Sequence, residues 1–364
     1  MTSHSLLSRR SVLAVVVLTI TALFISKTYP FHLLTFLFGI LSSILITDSL
    51  LWDALRFLSG TLPKPEIPVQ FSLPASEVGG LKYTYGLDHG LLNARLDTLW
   101  LNMGYWREAK GFQEACEALA RLVGDGGQIQ KGDKVLDFGY GCGDQLLFWH
   151  RTYTPSLIVG VTSEPLQACV AHTRIQTANL SHQIRPFLGD AIHISNWKPL
   201  DKGSTKILSE NDYDVVLSLD SCYHYTTRVN FLRLAASKLK PNGRLSISDF
   251  LLGTGFKSAS FTTRMFMRVA LKGVGVPEEN LVEEHVYNRQ MEDAGFEDVE
   301  VRDITEYVFP GLAGFIGEQR RRVGGLVDVD RKWRQYEFMR RALITAYEKK
   351  LLRFVVVSAM RRSC

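Results

Sequence analysis

The feature that most constrains this chain is a glycine-rich turn directly after an apolar run. Residues 135–144 read V-L-D-F-G-Y-G-C-G-D, with Gly139, Gly141 and Gly143 at alternate positions. Such a segment is typical of a buried strand that turns sharply into a helix. Glycine permits positive φ and has no Cβ, so a flat ligand can approach the main chain. The helix that follows directs the unpaired N–H groups of its first turn at such a ligand. The sequence therefore predicts a ligand-binding turn in an α/β fold.

The spacing of the glycines separates two classes of nucleotide site. The dinucleotide fingerprint is G-x-G-x-x-G, with a pyrophosphate at the helix N-terminus. Here the pattern is G-x-G-x-G, and the acids Asp137 and Asp144 stand on either side of it. Two carboxylates beside the turn favour a cationic, phosphate-free ligand over a pyrophosphate. A glycine-rich turn without any ligand stays open as the alternative.

The turn resembles the first motif of the class I S-adenosylmethionine-dependent methyltransferases, whose core is V-L-D-x-G-x-G-x-G. The resemblance implies S-adenosyl-L-methionine as the cofactor and no metal. It also implies that Asp137 and the three glycines form the floor of the cofactor site. Further segments resemble these enzymes in the expected order over residues 82–362. The implied fold is α/β and Rossmann-like, with a doubly wound, mostly parallel sheet of seven strands.

A second apolar run, residues 157–161, continues as T-S-E-P-L-Q. It resembles the G-V-T-x-S-x-x-Q segment of the cyclopropane fatty acid synthase family, although the serine comes one place early. By that resemblance, Thr162 and Gln167 take the ribose side of the cofactor. Asp190 stands at the end of the third predicted strand, where these enzymes bind the adenine amino group. Ala191, which follows it, is implied to belong to the same cofactor-binding segment.

The residues after the fourth predicted strand read D-S-C-Y-H-Y. Ligands of a doubly wound sheet lie beyond the carboxyl ends of its strands, so this loop faces the methyl donor. His224 is the candidate general base, because imidazole titrates near the working pH. Asp220 is a candidate to orient His224 or to contact the substrate. Tyr223 and Tyr225 are predicted pocket walls. The alternative for His224 is a loop histidine that only caps the strand end.

This loop resembles the corresponding loops of two methyltransferase families in different ways. Cyclopropane synthases carry a glutamate next to the histidine, where this chain has Tyr223, so ring formation on an unsaturated lipid loses support. Sterol methyltransferases have an acid four residues before a histidine, as Asp220 stands to His224. Their characteristic C-terminal domain is not recognisable in this chain. The resemblance therefore implies a small-molecule or lipid methyltransferase near both families.

Residues 100–106, W-L-N-M-G-Y-W, resemble an N-terminal motif of small-molecule and lipid methyltransferases. In those proteins an aromatic segment closes over the cofactor. The resemblance makes Tyr105 and Trp106 candidate cofactor-binding lid residues. Packing in the core is the alternative for both side chains.

Two insertions, at about residues 250–286 and 309–347, are predicted to form the acceptor pocket as substrate lids. The first contains an amphipathic helical pattern that begins at residue 261. It supplies an apolar pocket with Phe261, Met265 and Phe266. The alternative is that both insertions only pack on the sheet.

The first 58 residues predict a membrane anchor of two hydrophobic helices. Uncharged runs cover residues 11–26 and 28–47. At about 1.5 Å per residue, the second run can span a hydrocarbon core of roughly 30 Å. Basic residues flank the pair, so both ends are predicted to face the cytosol, most plausibly at the endoplasmic reticulum. The alternatives are a cleavable signal peptide, or one span with an interfacial helix. Residues 59–80 read as a Pro-rich linker to a methyltransferase domain at 81–364.

The formal net charge is +5, and the excess is concentrated after residue 311. This region favours contact with an anionic membrane leaflet, with a solvated helix face as the alternative. Nucleic acid also attracts basic patches, but it is not predicted as the partner of a membrane-tethered enzyme.

The sequence thus predicts a membrane-anchored methyltransferase that acts on a lipid-like or hydrophobic small molecule, such as a sterol, lipid or secondary metabolite. The alternatives are a cofactor- or lipid-binding adaptor without catalysis and a nicotinamide-dependent reductase. A reductase would need G-x-G-x-x-G and Tyr-x-x-x-Lys at places where neither occurs. The sequence does not predict the oligomeric state.

Overall fold

The structure is a computed structural model of the 364-residue chain. It describes residues 91–93, 98–200, 212–323 and 327–363. The predicted anchor at 1–58 and linker at 59–80 lie outside these residues. Within the described part of the chain, no helix has both the length and the hydropathy of a membrane span.

A mixed sheet of eight strands forms the centre of the described region. The strands are β1 (Lys134–Phe138), β2 (Leu157–Thr162), β3 (Ile184–Leu188), β4 (Lys198–Pro199), β5 (Tyr213–Ser218), β6 (Leu239–Leu252), β7 (Phe296–Asp303) and β8 (Leu352–Arg361). Their order is β4-β3-β2-β1-β5-β6-β8-β7. The successive pairs among β3, β2, β1, β5 and β6 are parallel. Strand β4 pairs antiparallel with β3, and β8 pairs antiparallel with both β6 and β7.

This architecture confirms the predicted α/β Rossmann-like fold but corrects the predicted number of seven strands. The additional strand, β4, has two residues and pairs with the end of β3. Two residues are too short to produce the alternating pattern from which a strand is predicted.

Nine α-helices surround the sheet in the described residues. They are α1 (Phe112–Gly126), α2 (Asp144–Tyr153), α3 (Pro165–Thr177), α4 (Arg228–Lys238), α5 (Gly255–Ser258), α6 (Phe261–Gly273), α7 (Glu284–Asp293), α8 (Thr305–Val323) and α9 (Val327–Glu348). Short 3-10 helices cover Ile194–Asn196, Cys222–His224 and Glu278–Asn280.

The core has two parts, one on each face of the sheet. Successive side chains of a strand point to opposite faces, so Val135 enters one part, and Leu136 and Phe138 enter the other. Helices α1, α2 and α3 cover the first face, and α4 and α7 cover the second. This two-sided cover is what makes the central strands continuously apolar.

The two predicted insertions are helical. The first consists of α5 and α6 after the end of β6, and the second is formed by α8 and α9 between β7 and β8. The insertions meet where the ring of Phe266 on α6 packs edge-on against Phe338 on α9, with centroids 5.6 Å apart.

The basic residues of α8 and α9 are partly neutralised inside this helix pair. Glu337 accepts hydrogen bonds from Arg340 at 2.6 Å and from Arg341 at 3.4 Å. Arg320 of α8 reaches the same carboxylate at 3.4 Å. Three guanidinium groups therefore share one carboxylate, and part of the positive charge counted in the sequence stabilises the pairing of the two helices.

Candidate active site

The carboxyl ends of four neighbouring strands meet at one edge of the sheet. The N–H of Gly139 donates to Val161 O at 2.8 Å, and the N–H of Gly189 donates to Thr162 O at 2.9 Å. On the other side of β1, Phe138 lies in register with Ser218 of β5. The loops after β1, β2, β3 and β5 are thereby brought side by side. Ligands of doubly wound sheets bind at such an edge.

The glycine turn requires glycine at all three predicted positions. Gly139, Gly141 and Gly143 have φ values of +82°, +59° and +89°. A Cβ on Gly139 would overlap Ser221 Oγ, and a Cβ on Gly143 would lie 2.9 Å from Ala171 Cβ. The missing side chains therefore make room for close packing within the protein, in addition to permitting positive φ.

The two acids beside the turn have different surroundings. The Asp137 carboxylate is fully buried and accepts hydrogen bonds from Gln145 Nε2 at 2.8 and 3.0 Å. Asp144 forms a bidentate ion pair with Arg174 of α3, at 2.6 and 2.7 Å. Asp144 therefore joins α2 to α3, and its charge is already balanced within the protein. This corrects the expectation that both acids face a cationic ligand.

Three carboxyl groups at this edge fit a cationic ligand. Asp137 is the penultimate residue of β1, and Asp190 and Asp220 come two residues after the ends of β3 and β5. None of the three pairs with a lysine or arginine among the described residues. Burial raises the pKa of Asp137 well above its ordinary value, and burial raises the pKa of Asp220 to about 6. A positively charged ligand offsets this cost of burying carboxylates, whereas a pyrophosphate increases it. The donor set therefore fits S-adenosyl-L-methionine.

The predicted ribose-binding pair lies together at the end of β2. Thr162 is buried and its hydroxyl donates to Gln167 Oε1 at 3.3 Å. Asp190 is more than half exposed, and its carboxylate accepts from the N–H of Ile192 at 2.8 Å. Ala191, which follows Asp190 in the chain, is half-buried. These four residues lie at the strand-end edge, and their contact with the cofactor stays a prediction of the resemblance.

Asp220 is held in a conformation that its residue type rarely adopts. Its φ is +54°, which costs on the order of 1 kcal/mol for a residue other than glycine. Its N–H donates to Ser248 Oγ at 2.7 Å, while its carboxylate accepts from Met103 N–H at 2.6 Å and from Tyr223 OH at 2.7 Å. The carboxylate thus joins the loop after β5 to the chain segment before α1.

His224 is positioned by a main-chain carbonyl of the first insertion. Its Nδ1 lies 3.4 Å from Gly275 O. A carbonyl oxygen only accepts, so Nδ1 carries the proton and the lone pair belongs to Nε2. Burial lowers the pKa of His224 to about 4. The imidazole is therefore neutral at physiological pH, the form that can accept a proton.

The two predicted wall tyrosines lie in different places. The Tyr223 ring packs between His224 and Phe250, with centroids at 4.2 and 4.3 Å, and forms an apolar wall beside the imidazole. Tyr225 instead packs on Phe231, and its hydroxyl hydrogen-bonds with Ser221 Oγ at 2.6 Å. The Tyr225 hydroxyl lies 3.1 Å from the position of a Cβ on Gly139, next to the glycine turn, and its role as a pocket wall stays a prediction.

Comparison with known proteins agrees with this geometry. Residues 105–301, more than half of the chain, match the family described as methyltransferase domain. The chain belongs to this family. It is an S-adenosylmethionine-dependent methyltransferase, and S-adenosyl-L-methionine is its cofactor.

Two relatives of the methyltransferase are bacterial. Erythromycin 3''-O-methyltransferase of Saccharopolyspora erythraea is 31% identical over 59% of this chain and 67% of its own length. The 27-O-demethylrifamycin SV methyltransferase of Amycolatopsis mediterranei is 28% identical over 59% of this chain and 74% of its own length. A solved geranyl diphosphate methyltransferase in complex with GPP and sinefungin covers 77% of this chain and 97% of its own at 14% identity, with a TM-score of 0.60. The structural likeness supports the fold.

The predicted lid aromatics of the methyltransferase pack on helices instead of on the glycine turn. The Tyr105 ring lies edge-on to Tyr307, and Trp106 packs on Phe315, both of α8. Leu101, which precedes these aromatics in the chain, packs against the glycine turn. Its Cδ1 would lie 2.9 Å from a Cβ on Gly141. The two aromatic side chains therefore fasten this segment to α8, and their contact with the cofactor stays a prediction.

The predicted pocket residues of α6 also differ from expectation. Phe261 and Met265 are 67% and 46% exposed, whereas Met267 and Leu271 are buried. Phe266 is half-buried against α9. The helix has apolar residues on more than one face, so the sequence pattern did not determine which face points inward.

Two serines of the methyltransferase site leave no signal in the sequence. Ser221 Oγ donates to Phe138 O at 3.0 Å and lies against Gly139, and Ser248 holds the strained Asp220 main chain. Neither serine belongs to a spacing motif, and only the pairing of β5 with β1 and β6 brings them to the turn.

We expect the affinity for S-adenosyl-L-methionine to fall as the pH is lowered through about 6. Asp220 is ionised above its pKa of about 6 and attracts a cationic cofactor, and this attraction is lost when it is protonated. Equilibrium binding across pH 5–8 should show this inflection in the wild type and not in Asp220→Asn. The matched variant Asp190→Asn should weaken binding and keep the inflection. An unchanged inflection in Asp220→Asn would contradict the assignment.

Proposed function

We propose that the methyltransferase transfers a methyl group to a hydroxyl oxygen of a hydrophobic small molecule. The observation that carries this proposal is the neutral His224 at the end of β5. Its Nδ1–H is directed to Gly275 O, so Nε2 is the basic nitrogen of the ring and would be the atom that takes the proton of an acceptor hydroxyl. A general base is needed for an alcohol, because the oxygen must lose its proton as it is methylated.

The bound cofactor supplies an electrophilic methyl group on a sulfonium. The glycine turn, Thr162 with Gln167, and Asp190 would hold it at the strand ends. Asp220 places a carboxylate at the same edge, between Met103 N–H and Tyr223 OH. His224 takes the hydroxyl proton onto Nε2, and the apolar wall beside it excludes water. The sulfur–methyl bond would break as the oxygen–methyl bond forms, and the cofactor would leave as a neutral thioether. The positive charge of the sulfonium would then be carried by the protonated imidazole of His224, so atoms and charges balance.

The apolar surroundings of His224 support a hydrophobic acceptor. Tyr223 packs on Phe250, and Phe250 packs in turn on Phe309 and Phe354, at 6.1 and 5.4 Å. The names of the two bacterial relatives, acting on erythromycin and a rifamycin, describe large acceptors methylated on oxygen. A lipid, a sterol or a secondary metabolite with one accessible hydroxyl fits this wall.

We also propose that residues 1–58 anchor the enzyme in a membrane, with the catalytic domain facing the cytosol at the endoplasmic reticulum. The uncharged run at 28–47 and the flanking basic residues support this. The full chain should remain in membranes after alkaline carbonate treatment, and added protease should digest its catalytic domain in intact microsomes. Release by carbonate, or protection of the catalytic domain, would contradict the proposal.

The proposed reaction is tested with isotopically labelled S-adenosyl-L-methionine. The full chain is incubated in separate reactions with a hydrophobic membrane extract, with a macrolide alcohol and with phosphoethanolamine, and products are identified by mass analysis. We expect labelled methyl ethers from the extract or the macrolide. Labelled phosphomethylethanolamine alone would contradict the proposal in favour of nitrogen methylation. Cofactor binding without any labelled product would favour the adaptor.

A further inference from the structure

The loop that carries His224 is held by one buried side chain that contacts both neighbours of the histidine. Asn280 Nδ2 donates to Tyr223 O at 3.0 Å and to Tyr225 O at 2.7 Å. Asn280 is 1% exposed and ends the short 3-10 helix Glu278–Asn280. The main-chain carbonyls on either side of His224 are therefore held by a single amide group.

The amide oxygen of Asn280 holds the end of the same loop. Asn280 Oδ1 accepts from the N–H of Arg228, the first residue of α4, at 3.0 Å. A side-chain amide has two N–H donors and one acceptor oxygen in a fixed planar arrangement. Its three contacts therefore define the path of residues 223–228. We call Asn280 with Tyr223 O, Tyr225 O and the Arg228 N–H the Asn280 clasp.

The Arg228 end of the Asn280 clasp is fixed in the core. The Arg228 guanidinium lies 3.2 Å from Asp249 Oδ2 of β6, and both side chains are fully buried. The Tyr287 ring of α7 lies 4.4 Å from Arg228 Cζ, and its hydroxyl donates to Asp249 at 3.1 Å. Because the loss of one partner of a buried ion pair destabilises the whole fold, substitutions that test the clasp belong at Asn280.

The segment that carries Asn280 also supplies the partner of the His224 ring. Gly275 O, five residues before Asn280, lies 3.4 Å from His224 Nδ1. The segment is tied to the end of β6, since the N–H of Leu252 donates to Val282 O at 2.8 Å. One short stretch of chain therefore contacts both the ring of the histidine and the main chain around it.

The contact at the ring is a weak restraint by itself. Hydrogen bonds from N–H to oxygen are typically about 2.7–3.2 Å long, and the distance from His224 Nδ1 to Gly275 O is 3.4 Å. Proton transfer depends on where Nε2 lies, and a misplacement of about 1 Å can lower a rate roughly a hundredfold. The main chain of His224 must therefore be held by other contacts, and the Asn280 clasp supplies them.

We propose that Asn280 is a positioning residue for His224. By holding Tyr223 O and Tyr225 O, it keeps the imidazole where Nδ1 meets Gly275 O, and so keeps Nε2 as the basic nitrogen. Without the clasp the loop moves, and the ring exchanges between its two neutral tautomers. The consequence for catalysis rests on the proposed function, whereas the placement of the ring does not.

Nitrogen NMR spectra of the histidine rings test this placement. The full chain is isotopically labelled at its histidine nitrogens and studied in detergent micelles at neutral pH. The signals of His224 are identified by their absence in His224→Ala. In the wild type we expect the two nitrogen shifts of a ring that is protonated at Nδ1.

Two variants remove the contacts of Asn280 in different ways. Asn280→Asp keeps the shape and the acceptor for the Arg228 N–H but has no N–H groups, and Asn280→Ala removes all three contacts without adding a charge. In both, the two nitrogen shifts of His224 should move toward each other as the tautomers mix. The matched control is Asn242→Asp, the same change at an exposed position near the start of β6, and it should leave the shifts unchanged.

A double-mutant cycle tests the consequence for catalysis. Methyl transfer is measured at saturating cofactor with the macrolide alcohol and with the membrane extract. Asn280→Asp should lower the rate roughly tenfold or more and leave the affinity for S-adenosyl-L-methionine unchanged. In His224→Ala the same substitution should lower the rate no further, because residues that act as a unit are not additive. A residue with only a structural role would lower the rate by the same factor in both backgrounds.

Two results would overturn the positioning role. One is wild-type nitrogen shifts of His224 in folded Asn280→Asp and Asn280→Ala, with folding checked by thermal unfolding. The other is an equal factor of rate loss from Asn280→Asp with and without His224. An undiminished rate in His224→Ala would instead overturn the proposed function, and the ring spectra would still decide the placement of the imidazole.

Discussion

Replacing Gly139 by alanine is expected to weaken S-adenosyl-L-methionine binding by roughly a hundredfold or more. The φ of +82° costs a residue with a Cβ about 1–2 kcal/mol, and that Cβ would also overlap Ser221 Oγ and lie 2.6 Å from Ser221 Cβ. The main chain of the turn must shift to relieve this overlap, and it forms the floor of the cofactor site. Equilibrium dialysis with radiolabelled cofactor measures the loss.

A second glycine provides the control for Gly139→Ala. Gly132 precedes β1, has a φ of +93° and has no atom within 4 Å of its Cβ position. Gly132→Ala therefore carries the conformational strain without the close approach, and it should bind the cofactor like the wild type. Adding Ser221→Gly to Gly139→Ala should restore part of the affinity. Full cofactor affinity in folded Gly139→Ala, checked by thermal unfolding, would contradict the placement of the cofactor on this turn.

Replacing His224 by alanine is expected to lower kcat by a factor of about 10²–10⁴, the usual contribution of a general base. The affinity for the cofactor should change little, because Gly275 and Tyr223, which position the His224 ring, are not among the predicted cofactor-binding residues. The measurement is steady-state methyl transfer at saturating cofactor. The control is His182→Ala, at an exposed position before β3.

The pH dependence of kcat in the wild type tests the same role of His224 as the general base. The pKa of His224 is lowered to about 4, so the imidazole is in its basic form throughout the physiological range. At saturating cofactor, kcat should stay level from pH 8 to about pH 5 and fall as the pH approaches 4. In His224→Ala this acidic limb should disappear. An equal rate in His224→Ala and wild type would show that the acceptor needs no base at this position.

The lowered pKa of His224 also has a consequence for stability. The folded state binds fewer protons than the unfolded state between the unfolded pKa of about 6.5 and the folded value of about 4. The contribution of His224 to the free energy of unfolding is therefore fully present above pH 6.5 and is lost as the pH falls toward 4. Asp220, with its pKa raised to about 6, acts in the opposite sense over nearly the same range.

The sequence predicted the parts of this enzyme that depend on short, fixed spacing. The glycine turn and the pair Thr162 and Gln167 follow from runs of a few residues, and the structure brings them to one edge of the sheet. The ion pair of Asp144 with Arg174 spans 30 residues and leaves no local signal. The outward orientation of Phe261 and Met265 was missed because α6 has apolar residues on more than one face.

The central claim is that carboxylates and a glycine turn at the strand ends hold a cation without phosphates. Isothermal titration calorimetry of the wild-type chain tests it most directly, with S-adenosyl-L-methionine in one titration and reduced nicotinamide dinucleotide phosphate in another. We expect saturable binding of one S-adenosyl-L-methionine per chain and no heat of binding from the dinucleotide. Tight binding of the dinucleotide by a protein that ignores S-adenosyl-L-methionine would contradict it.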